Sequence, residues 1–399
     1  MIRTTPFHLR TNAANQTGLW THWSGHLAAL QYQTSEKFEY FAIRNAAGLF
    51  DTSPLYKYQI AGPDAERYLA GVLARDIRMC RSGRAHYTIW CDDRGFVLED
   101  GVVFRISDDE FFLTAAEPNL AYFASLVGHL RVEIEDVSAN YAALALQGPR
   151  ATRILAALVP EVESLDYFRH MPAKLADAAV TISRTGFTGD LGYEIWAAGD
   201  DAVAIWDAVM EAGRDHGLIP FGLTALKMAR IEAGLLLLDT DFASSRFAWN
   251  DEHRSTPLEL GLGWMFRNLT SDDRSFIGRQ AIEREIETGS ARWAMVGLVV
   301  DWAEYDQAYR SAGLIAPMDH KPPPYESMVY DDERTRVGYT ASLMYSPVLQ
   351  KHIAIARVRP ELATPGTRVN LEVTIDHAYE LVGAHVTRLP FFNPARKTA

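Results

Sequence analysis

The sequence has little cysteine, no long apolar run and no excess of basic residues, and each absence excludes a class of protein. Two cysteines, Cys80 and Cys91, are too few for a disulfide framework or a structural zinc site, and they fit a reduced cytoplasm. No stretch of about 18 apolar residues is present, so we expect no membrane span. The first residues lack the apolar segment of a secretory signal. The net charge of −12 argues against a nucleic-acid partner, because phosphate binding needs a basic face.

The common catalytic signatures are missing as well. The twelve histidines include no H-E-x-x-H motif, so we expect no metal site. The Gly-rich turn 186–192 is not a P-loop, because no Gly-Lys-Ser/Thr follows it. It also lacks the order of a dinucleotide fingerprint and opens a strand. The absence of Gly-x-Ser-x-Gly removes the simplest hydrolases.

What is present is typical of a folded protein with more than one domain. The 399 residues exceed the usual size of a single core, so we expect two or three domains. Hydrophobic residues make up 48% and charged residues 23%, which is ordinary for a globular chain. Aromatic residues reach 11% and supply material for apolar pockets, although core packing explains that fraction equally well.

Two segments, 56–73 and 141–158, share the order strand, Gly-Pro turn, helix. The turns are Gly62-Pro63 and Gly148-Pro149, and proline is tolerated at the start of a helix because its missing N–H has no partner there anyway. The shared frame predicts a duplicated β-α element within one α+β region. Chance convergence on a favourable turn would give the same pattern.

Other segments give clear secondary-structure signals. Apolar spacing predicts a helix that begins at Asp200-Asp201 and a shorter helix over 223–233. A hairpin is predicted between 179–183 and 193–196. From about residue 290 the sequence is rich in predicted strands, which indicates a small antiparallel barrel or sandwich; these strands are 295–300, 337–342, 353–358 and 369–375.

A few charged residues lie in apolar surroundings. Glu99 and Asp100 occupy the apolar run 95–104, and in a strand their side chains would face opposite ways, so that one carboxylate is buried. A hairpin would instead bring both carboxylates to water, and the sequence leaves both alternatives open. Glu194 follows the Gly-rich turn and Arg230 lies on a predicted helix, where each pattern also fits a surface or structural charge.

Taken in order, these segments resemble the aminomethyltransferase family, which comprises the T-protein of the glycine cleavage system and its relatives. The resemblance spans nearly the whole chain. The matching segments are Thr5-Pro6-Phe7, 48–53, Tyr87, 95–100, 146–149, 186–189, 192–195, 230–235, Gly263-Trp264, 276–279 and Ser346-Pro347.

The resemblance implies an α+β fold of three domains arranged as a clover leaf around a central tetrahydrofolate site. Residues 1–50 plus 140–285 would form the interleaved folate-binding α+β part. Residues 51–139 would form a second α+β domain that carries Asp100, and residues 286–399 would form a C-terminal antiparallel β-barrel.

The resemblance also assigns roles to individual residues. Asp100 falls at the family's catalytic aspartate, which orients the pterin and stabilises positive charge that develops on nitrogen. Glu194 falls at the glutamate that accepts two parallel hydrogen bonds from the aminopyrimidine edge, and Arg230 at an arginine that donates to the pterin or its neighbours. The apolar walls of the pocket fall at Tyr87, Phe187, Leu55 and Trp264.

Several positions depart from the glycine-cleavage enzymes. Ala115 stands where those enzymes usually carry asparagine, Leu226-Lys227 replaces an Arg-Asp pair, and Phe187 replaces tyrosine. Similar departures near residue 115 occur in folate-dependent demethylases, and an aromatic-lined cavity suits a cationic methyl donor. We expect loops such as 31–36 and 302–330 to supply further pocket residues.

The resemblance therefore predicts an enzyme that transfers a methyl or aminomethyl group from a small-molecule donor to tetrahydrofolate. Glycine cleavage would add a lipoyl carrier protein as partner, whereas demethylation would not. The competing class is a non-catalytic folate-binding protein of the same fold. Such relatives typically carry the motif Lys-Gly-Cys-Tyr-x-Gly-Gln-Glu, which is absent here, and the acid at Asp100 favours catalysis.

Overall fold

The computed structural model describes residues 2–267, 269 and 273–399. The helices in these ranges are α1 (His8–Ala14), α2 (Glu36–Asn45), α3 (Ala65–Val72), α4 (Leu120–Ser125), α5 (Ala151–Ala156), α6 (Ala202–Gly213), α7 (Leu223–Glu232), α8 (Arg279–Thr288) and α9 (Trp302–Ser311). None of these described helices combines the length and the apolar character that crossing a membrane requires.

The strands fall into a hairpin, two open sheets and a barrel. They are β1 (Leu19–Trp23), β2 (His26–Gln31), β3 (Ala47–Asp51), β4 (Tyr56–Ala61), β5 (Ala85–Cys91), β6 (Val97–Arg105), β7 (Glu110–Ala115), β8 (Glu133–Asp136), β9 (Tyr141–Gln147), β10 (His170–Leu175), β11 (Ala178–Ser183), β12 (Gly192–Ala198), β13 (Leu218–Pro220), β14 (Ala294–Val300), β15 (Met328–Tyr330), β16 (Arg336–Ser346), β17 (Lys351–Val358), β18 (Arg368–Ile375) and β19 (Ala378–Thr387).

The two open sheets repeat one topology. The five-stranded sheet has the order β5-β6-β7-β4-β8, and the six-stranded sheet has the order β10-β11-β12-β9-β3-β13. Each copy has the chain order β-α-β-β-β-α-β. In the sheet of the second copy, β3 lies between β9 and β13. The predicted duplication is therefore confirmed and extends over seven elements. The two copies form separate sheets, so the expectation of a single region was wrong.

The shared Gly-Pro turns have a steric cause. Gly62 and Gly148 adopt φ values of +133° and +126°, a region that residues with a side chain rarely occupy. A Cβ on Gly62 would lie 2.4 Å from the carbonyl oxygen of Arg131, and one on Gly148 would lie 2.8 Å from that of Ala46. Both copies therefore need glycine between the first strand and the first helix.

The C-terminal part is a closed six-stranded barrel, as the strand-rich sequence predicted. Its order is β14-β17-β16-β15-β18-β19, and the described pairs are antiparallel. Buried aliphatic side chains fill it, because successive residues of each strand alternate between inside and outside.

The segment after β14 differs from the expectation of a loop over 302–330, because its first part is α9. The carboxylate of Asp301 accepts hydrogen bonds from the backbone N–H groups of Ala303 (2.9 Å) and Glu304 (3.1 Å). This is the arrangement of a helix N-cap, a local signal that the sequence contains. The predicted helices α6 and α7 and the hairpin β11–β12 are confirmed.

A buried ion pair joins several parts of the chain. Nε and Nη2 of Arg44 on α2 donate to Oε2 of Glu232 on α7, at 2.8 and 2.7 Å. The other oxygen of Glu232 accepts from Ser346 Oγ of the barrel at 2.5 Å and from the Tyr40 hydroxyl. Nη1 of Arg44 donates to the carbonyl oxygen of Thr188 in the Gly-rich turn at 3.0 Å. This network fixes α2, α7, the barrel and the Gly-rich turn relative to one another.

We expect Glu232→Gln to lower the free energy of unfolding by about 3–5 kcal/mol, because the buried charge of Arg44 then has only Asp190, which is 3.4 Å away and also pairs with Arg396. Urea denaturation followed by tryptophan fluorescence measures the loss. Asp207→Asn, which breaks the solvent-exposed pair with Arg10, is the control and should leave the midpoint nearly unchanged. Equal effects of the two substitutions would contradict a central role for the buried pair.

Candidate functional site

Asp100 lies on β6, in the sheet of the first copy. Its Oδ2 accepts a hydrogen bond of 2.9 Å from the hydroxyl of Tyr87 on the neighbouring strand β5. Burial raises the pKa of Asp100 to about 6; the Tyr87 hydrogen bond opposes this rise, and the charge of Asp241 adds to it. Asp100 is half-buried, and one hydrogen bond orients its carboxylate. With a pKa of about 6, the group is largely protonated only at acidic pH.

Glu99 points to the opposite face of β6 and is buried. Its Oε1 accepts from the backbone N–H groups of Ala116 (2.5 Å) and Glu117 (2.9 Å), and its Oε2 accepts from the side-chain amide of Asn119. Burial raises the pKa of Glu99 to about 8. The strand alternative is correct, and Glu99 anchors the loop that follows β7.

Beside Asp100 the backbones of β6 and β7 approach closely. A Cβ on Gly101 would lie 2.1 Å from the carbonyl oxygen of Thr114, so this position requires glycine. Ala115, the residue paired with Gly101, is buried and ends β7. Its methyl group packs in the apolar core with Tyr58 and Trp90, on the face of the sheet that Glu99 occupies and opposite Asp100.

Arg230 on α7 is only 1% exposed, and its guanidinium is mostly occupied within the protein. It pairs with Asp241, and its Nη2 donates to the Ser342 hydroxyl of the barrel at 2.7 Å. That hydroxyl in turn donates to Asp241 at 2.7 Å. Nε of Arg230 is buried and has no hydrogen-bond partner among the described residues. Asp241 thus links the two residues: it pairs with Arg230, where its negative charge counteracts the fall in pKa that burial causes, and the same charge adds to the rise in the pKa of Asp100.

Trp264 lies at the solvent edge of this group and is 40% exposed. The guanidinium carbon of Arg75 stands 5.1 Å from the centroid of the Trp264 ring. Nη1 of the same arginine donates to the backbone carbonyl of Tyr87 at 3.1 Å. Arg75 therefore connects Trp264 to the strand that holds Tyr87.

Glu194 lies on β12, in the sheet of the second copy. Its Oε2 accepts a hydrogen bond from the Thr185 hydroxyl, and its Oε1 accepts none from the residues that the structure describes. Burial raises the pKa of Glu194, whereas the Thr185 hydrogen bond and the charge of Lys57 lower it. One carboxylate oxygen thus remains open in a half-buried setting.

The ammonium of Lys57 lies in the neighbourhood of Glu194. Nζ donates to the backbone carbonyl oxygens of Ser53 at 2.7 Å and Leu55 at 2.6 Å, which fixes the backbone that carries Leu55. Leu55 itself is half-buried. Phe187 is also half-buried and follows Thr185 by two residues in the Gly-rich turn.

One apolar cluster lies between the two groups. Ala145 is the partner of Glu194 across β9 and β12 and of Phe50 across β9 and β3, so these three side chains share one face of the sheet. Ala145 and Phe50 belong to the same core cluster, against which Tyr87 packs. No hydrogen bond or ion pair among the described residues joins Glu194 to Asp100. The predicted site residues therefore form two polar ends, one on each sheet, with apolar side chains between them.

Two charged residues of these groups were missed from the sequence. Asp241 follows α7 in a segment without apolar periodicity, so no local signal singles it out. Lys57 stands inside a predicted strand, where its alternation with tyrosine indicated a solvent-facing side chain. Within the described ranges, no group of three His, Cys, Asp or Glu side chains is placed to hold a metal ion.

The raised pKa of Asp100 has a consequence for stability. A carboxyl group that binds its proton more tightly in the folded state costs stability as pH rises from the unfolded pKa of about 4 to the folded pKa of about 6. Asp100→Asn should remove this cost and stabilise the protein at about pH 8 by up to roughly 3 kcal/mol. The gain should vanish below about pH 4.

Urea denaturation at both pH values measures this difference, with the exposed Asp93→Asn as control. A gain in stability that does not depend on pH, or a loss of stability at the higher pH, would contradict the raised pKa of Asp100.

Comparisons with known proteins agree with this architecture. The family model "GCVT N-terminal domain" matches residues 9–268, and the model "Glycine cleavage T-protein C-terminal barrel domain" matches residues 310–393. An aminomethyltransferase of Halothermothrix orenii is 32% identical over 366 residues, which are 91% of this chain and 92% of that protein. The heme-dependent oxidative N-demethylase gamma subunit of Ectopseudomonas mendocina is 32% identical over 94% of this chain and 92% of its own length.

A solved structure shows the same fold. The glycine cleavage system aminomethyltransferase T of Bartonella henselae superposes with a TM-score of 0.82 over 98% of this chain and 99% of that one, at 22% identity. The α+β fold with its C-terminal barrel is thus confirmed. The chain belongs to the aminomethyltransferase family, that of the glycine cleavage T-protein.

Proposed function

We propose that this protein transfers a one-carbon group from a small methylated or aminomethyl donor to tetrahydrofolate. The observation that carries the proposal is the pair of half-buried carboxylates, Asp100 and Glu194, at the two polar ends of one apolar cluster. A reduced pterin has matching properties: a flat apolar body, a row of N–H donors at one end and a reacting nitrogen at the other.

The Glu194 end fits the aminopyrimidine edge. A carboxylate accepts two parallel hydrogen bonds from adjacent N–H donors, as it does from a guanidinium. Here Thr185 orients one oxygen and the other accepts no hydrogen bond from the described residues, so a ligand N–H has a place to donate. Partial burial strengthens such a bond, because less water competes for the oxygen.

The Asp100 end fits the reacting nitrogen. One-carbon transfer develops positive charge on nitrogen, and a fixed carboxylate stabilises that charge. With its pKa near 6, Asp100 is mostly ionised at neutral pH, and the Tyr87 hydroxyl holds one of its oxygens. The other oxygen, Oδ1, is the one that we assign to the charged ligand.

Arg230 was expected to donate to the pterin or its neighbours. Its terminal nitrogens donate to Asp241, Ser342 and the Leu235 carbonyl oxygen, and its Nε is buried, so the guanidinium gives a ligand little access. We propose that its larger effect is indirect, through the position and charge of Asp241 beside Asp100.

For the donor we favour a small methylated compound over the carrier-bound group of glycine cleavage. The support is Ala115, which stands in place of the usual asparagine: its methyl group is buried in the core on the Glu99 face of the sheet, so this position offers no side-chain amide. One relative of similar length bears a name that describes oxidative N-demethylation. Aromatic side chains such as Tyr87 and Trp264 suit a cationic methyl donor.

Glu194→Gln should weaken tetrahydrofolate binding by about 2–4 kcal/mol, since the amide presents one acceptor and no charge. Anaerobic calorimetry with tetrahydrofolate measures the change, and the exposed Glu163→Gln serves as control. Unchanged binding by the Glu194 variant, or no binding by the wild type, would contradict the proposed tetrahydrofolate pocket.

A donor screen with tetrahydrofolate identifies the reaction. Incubation with methylated amines, sulfonium compounds and aryl methyl ethers should give 5-methyl-tetrahydrofolate, because methyl transfer involves no oxidation. An aminomethyl donor should instead give 5,10-methylene-tetrahydrofolate, and chromatography separates the two products. Methylene product that needs a lipoyl carrier protein would indicate glycine cleavage instead. Folate binding without turnover of any donor would favour a non-catalytic folate-binding protein.

With an active donor in hand, Asp100→Asn should lower kcat roughly 10–1000-fold with little change in folate affinity. The reason is that the carboxylate acts on charge that is greatest in the transition state. Asp93→Asn is the matched control on an exposed turn. Full activity of Asp100→Asn would exclude the role.

A further inference from the structure

Lys57, the second residue of β4, has an exposed fraction of 0%. A buried charge is costly unless other groups compensate for it. The carbonyl oxygens of Ser53 and Leu55 accept two of its three N–H groups, and the Trp196 ring lies 5.9 Å from Nζ. These groups are neutral, so they solvate the ammonium without balancing its charge.

The compensating charge comes from carboxylates on three other strands. Asp51 of β3, Asp136 of β8 and Glu194 of β12 all act electrostatically on Lys57, and no ion pair to any of them is formed among the described residues. Asp51 is already bound by the Thr5 hydroxyl and the Ser53 N–H, and Asp136 by both polar groups of Ser138. Glu194 and Asp136 each keep one oxygen that accepts no hydrogen bond from the described residues, but Asp136 is exposed to solvent whereas Glu194 is half-buried.

Lys57 also lies where the sheets of the two copies contact each other. It belongs to the sheet of β4, whereas Trp196 and Glu194 belong to the sheet of β12. Trp196 packs against Phe112 (5.7 Å) and Phe104 (6.2 Å) of the Lys57 sheet, so the ammonium lies at the aromatic contact between the sheets.

We propose that Lys57 is a positioning residue of the pterin pocket: its buried ammonium fixes the Leu55 backbone and keeps the Glu194 carboxylate ionised for the ligand's N–H donors. This inference rests on the proposed function, because it concerns how the same pocket is charged. Within the described ranges, Lys57 is the one cation that acts on Glu194, and Thr185 is a neutral donor to it.

The sign of the effect follows from the environment. Burial raises the pKa of Glu194, and the Lys57 charge counteracts that rise. Without the ammonium the pKa of Glu194 rises further, and the group takes up a proton nearer neutral pH. Burial also lowers the pKa of Lys57 to about 8. Above that pH the Glu194 carboxyl group is ionised without help, so loss of the ammonium there should leave ligand affinity nearly unchanged.

Tetrahydrofolate affinity measured anaerobically between about pH 6 and pH 9 tests the proposal. Lys57→Gln retains N–H donors for the two carbonyl groups and removes the charge. Its affinity should fall roughly tenfold per pH unit on the acid side, starting at a higher pH than in the wild type, and approach the wild-type value at alkaline pH. Lys174→Gln, at an exposed lysine of β10, should follow the wild-type profile.

A double variant separates charge from structure. In a Glu194→Gln background, Lys57→Gln should add no pH dependence, because the carboxyl group on which the ammonium acts is gone. If Lys57→Gln does not fold, Lys57→Arg decides, since its permanent charge should keep the acid-side loss of affinity at the wild-type pH.

Coincident pH profiles for wild type and Lys57→Gln, or an acid-side loss that starts at a higher pH in Lys57→Arg than in the wild type, would overturn the role of Lys57 alone. A wild type that binds no tetrahydrofolate at any pH would overturn the proposed function together with it.

Discussion

The buried pair between Arg44 and Glu232 is the interaction on which the positions of the other parts depend. It holds α2 against α7, accepts a hydroxyl from the barrel and ties down the Gly-rich turn that leads to Glu194. Helix α7 also carries Arg230, whose partner Asp241 reaches the surroundings of Asp100. Breaking a buried ion pair is strongly destabilising. This pair therefore helps to hold the two polar ends of the site at a fixed distance from each other.

Much of the fold could be predicted from the sequence because its signals are local. The strand–turn–helix pattern repeats, helices α6 and α7 have regular apolar spacing, and the barrel strands alternate. The assignment of the two copies to separate sheets could not be predicted, because strand pairing depends on contacts between distant residues. Helix α9 carries a cap at Asp301 and was overlooked in favour of loop composition. The domain boundaries at residues 50, 140 and 285 remain predictions.

The candidate site was predictable only as far as the resemblance reached. Asp100 and Tyr87 were both singled out, and the structure joins them by one hydrogen bond. Asp241 and Lys57 were missed because their importance arises from burial beside other charges, which a sequence pattern does not show. Arg230 illustrates the converse: a residue type suited to a ligand is largely occupied by Asp241 and Ser342. The ligand roles of all these residues remain proposals.

The duplication has a consequence for the symmetry of the site. Asp100 lies on the fourth element of the first copy, β6, whereas Glu194 lies on the fifth element of the second copy, β12. Carboxylates on equivalent strands would have produced two pseudo-identical half-sites, suited to a ligand with matching ends. Carboxylates on non-equivalent strands instead make the proposed site asymmetric, so an asymmetric ligand would match it in only one orientation.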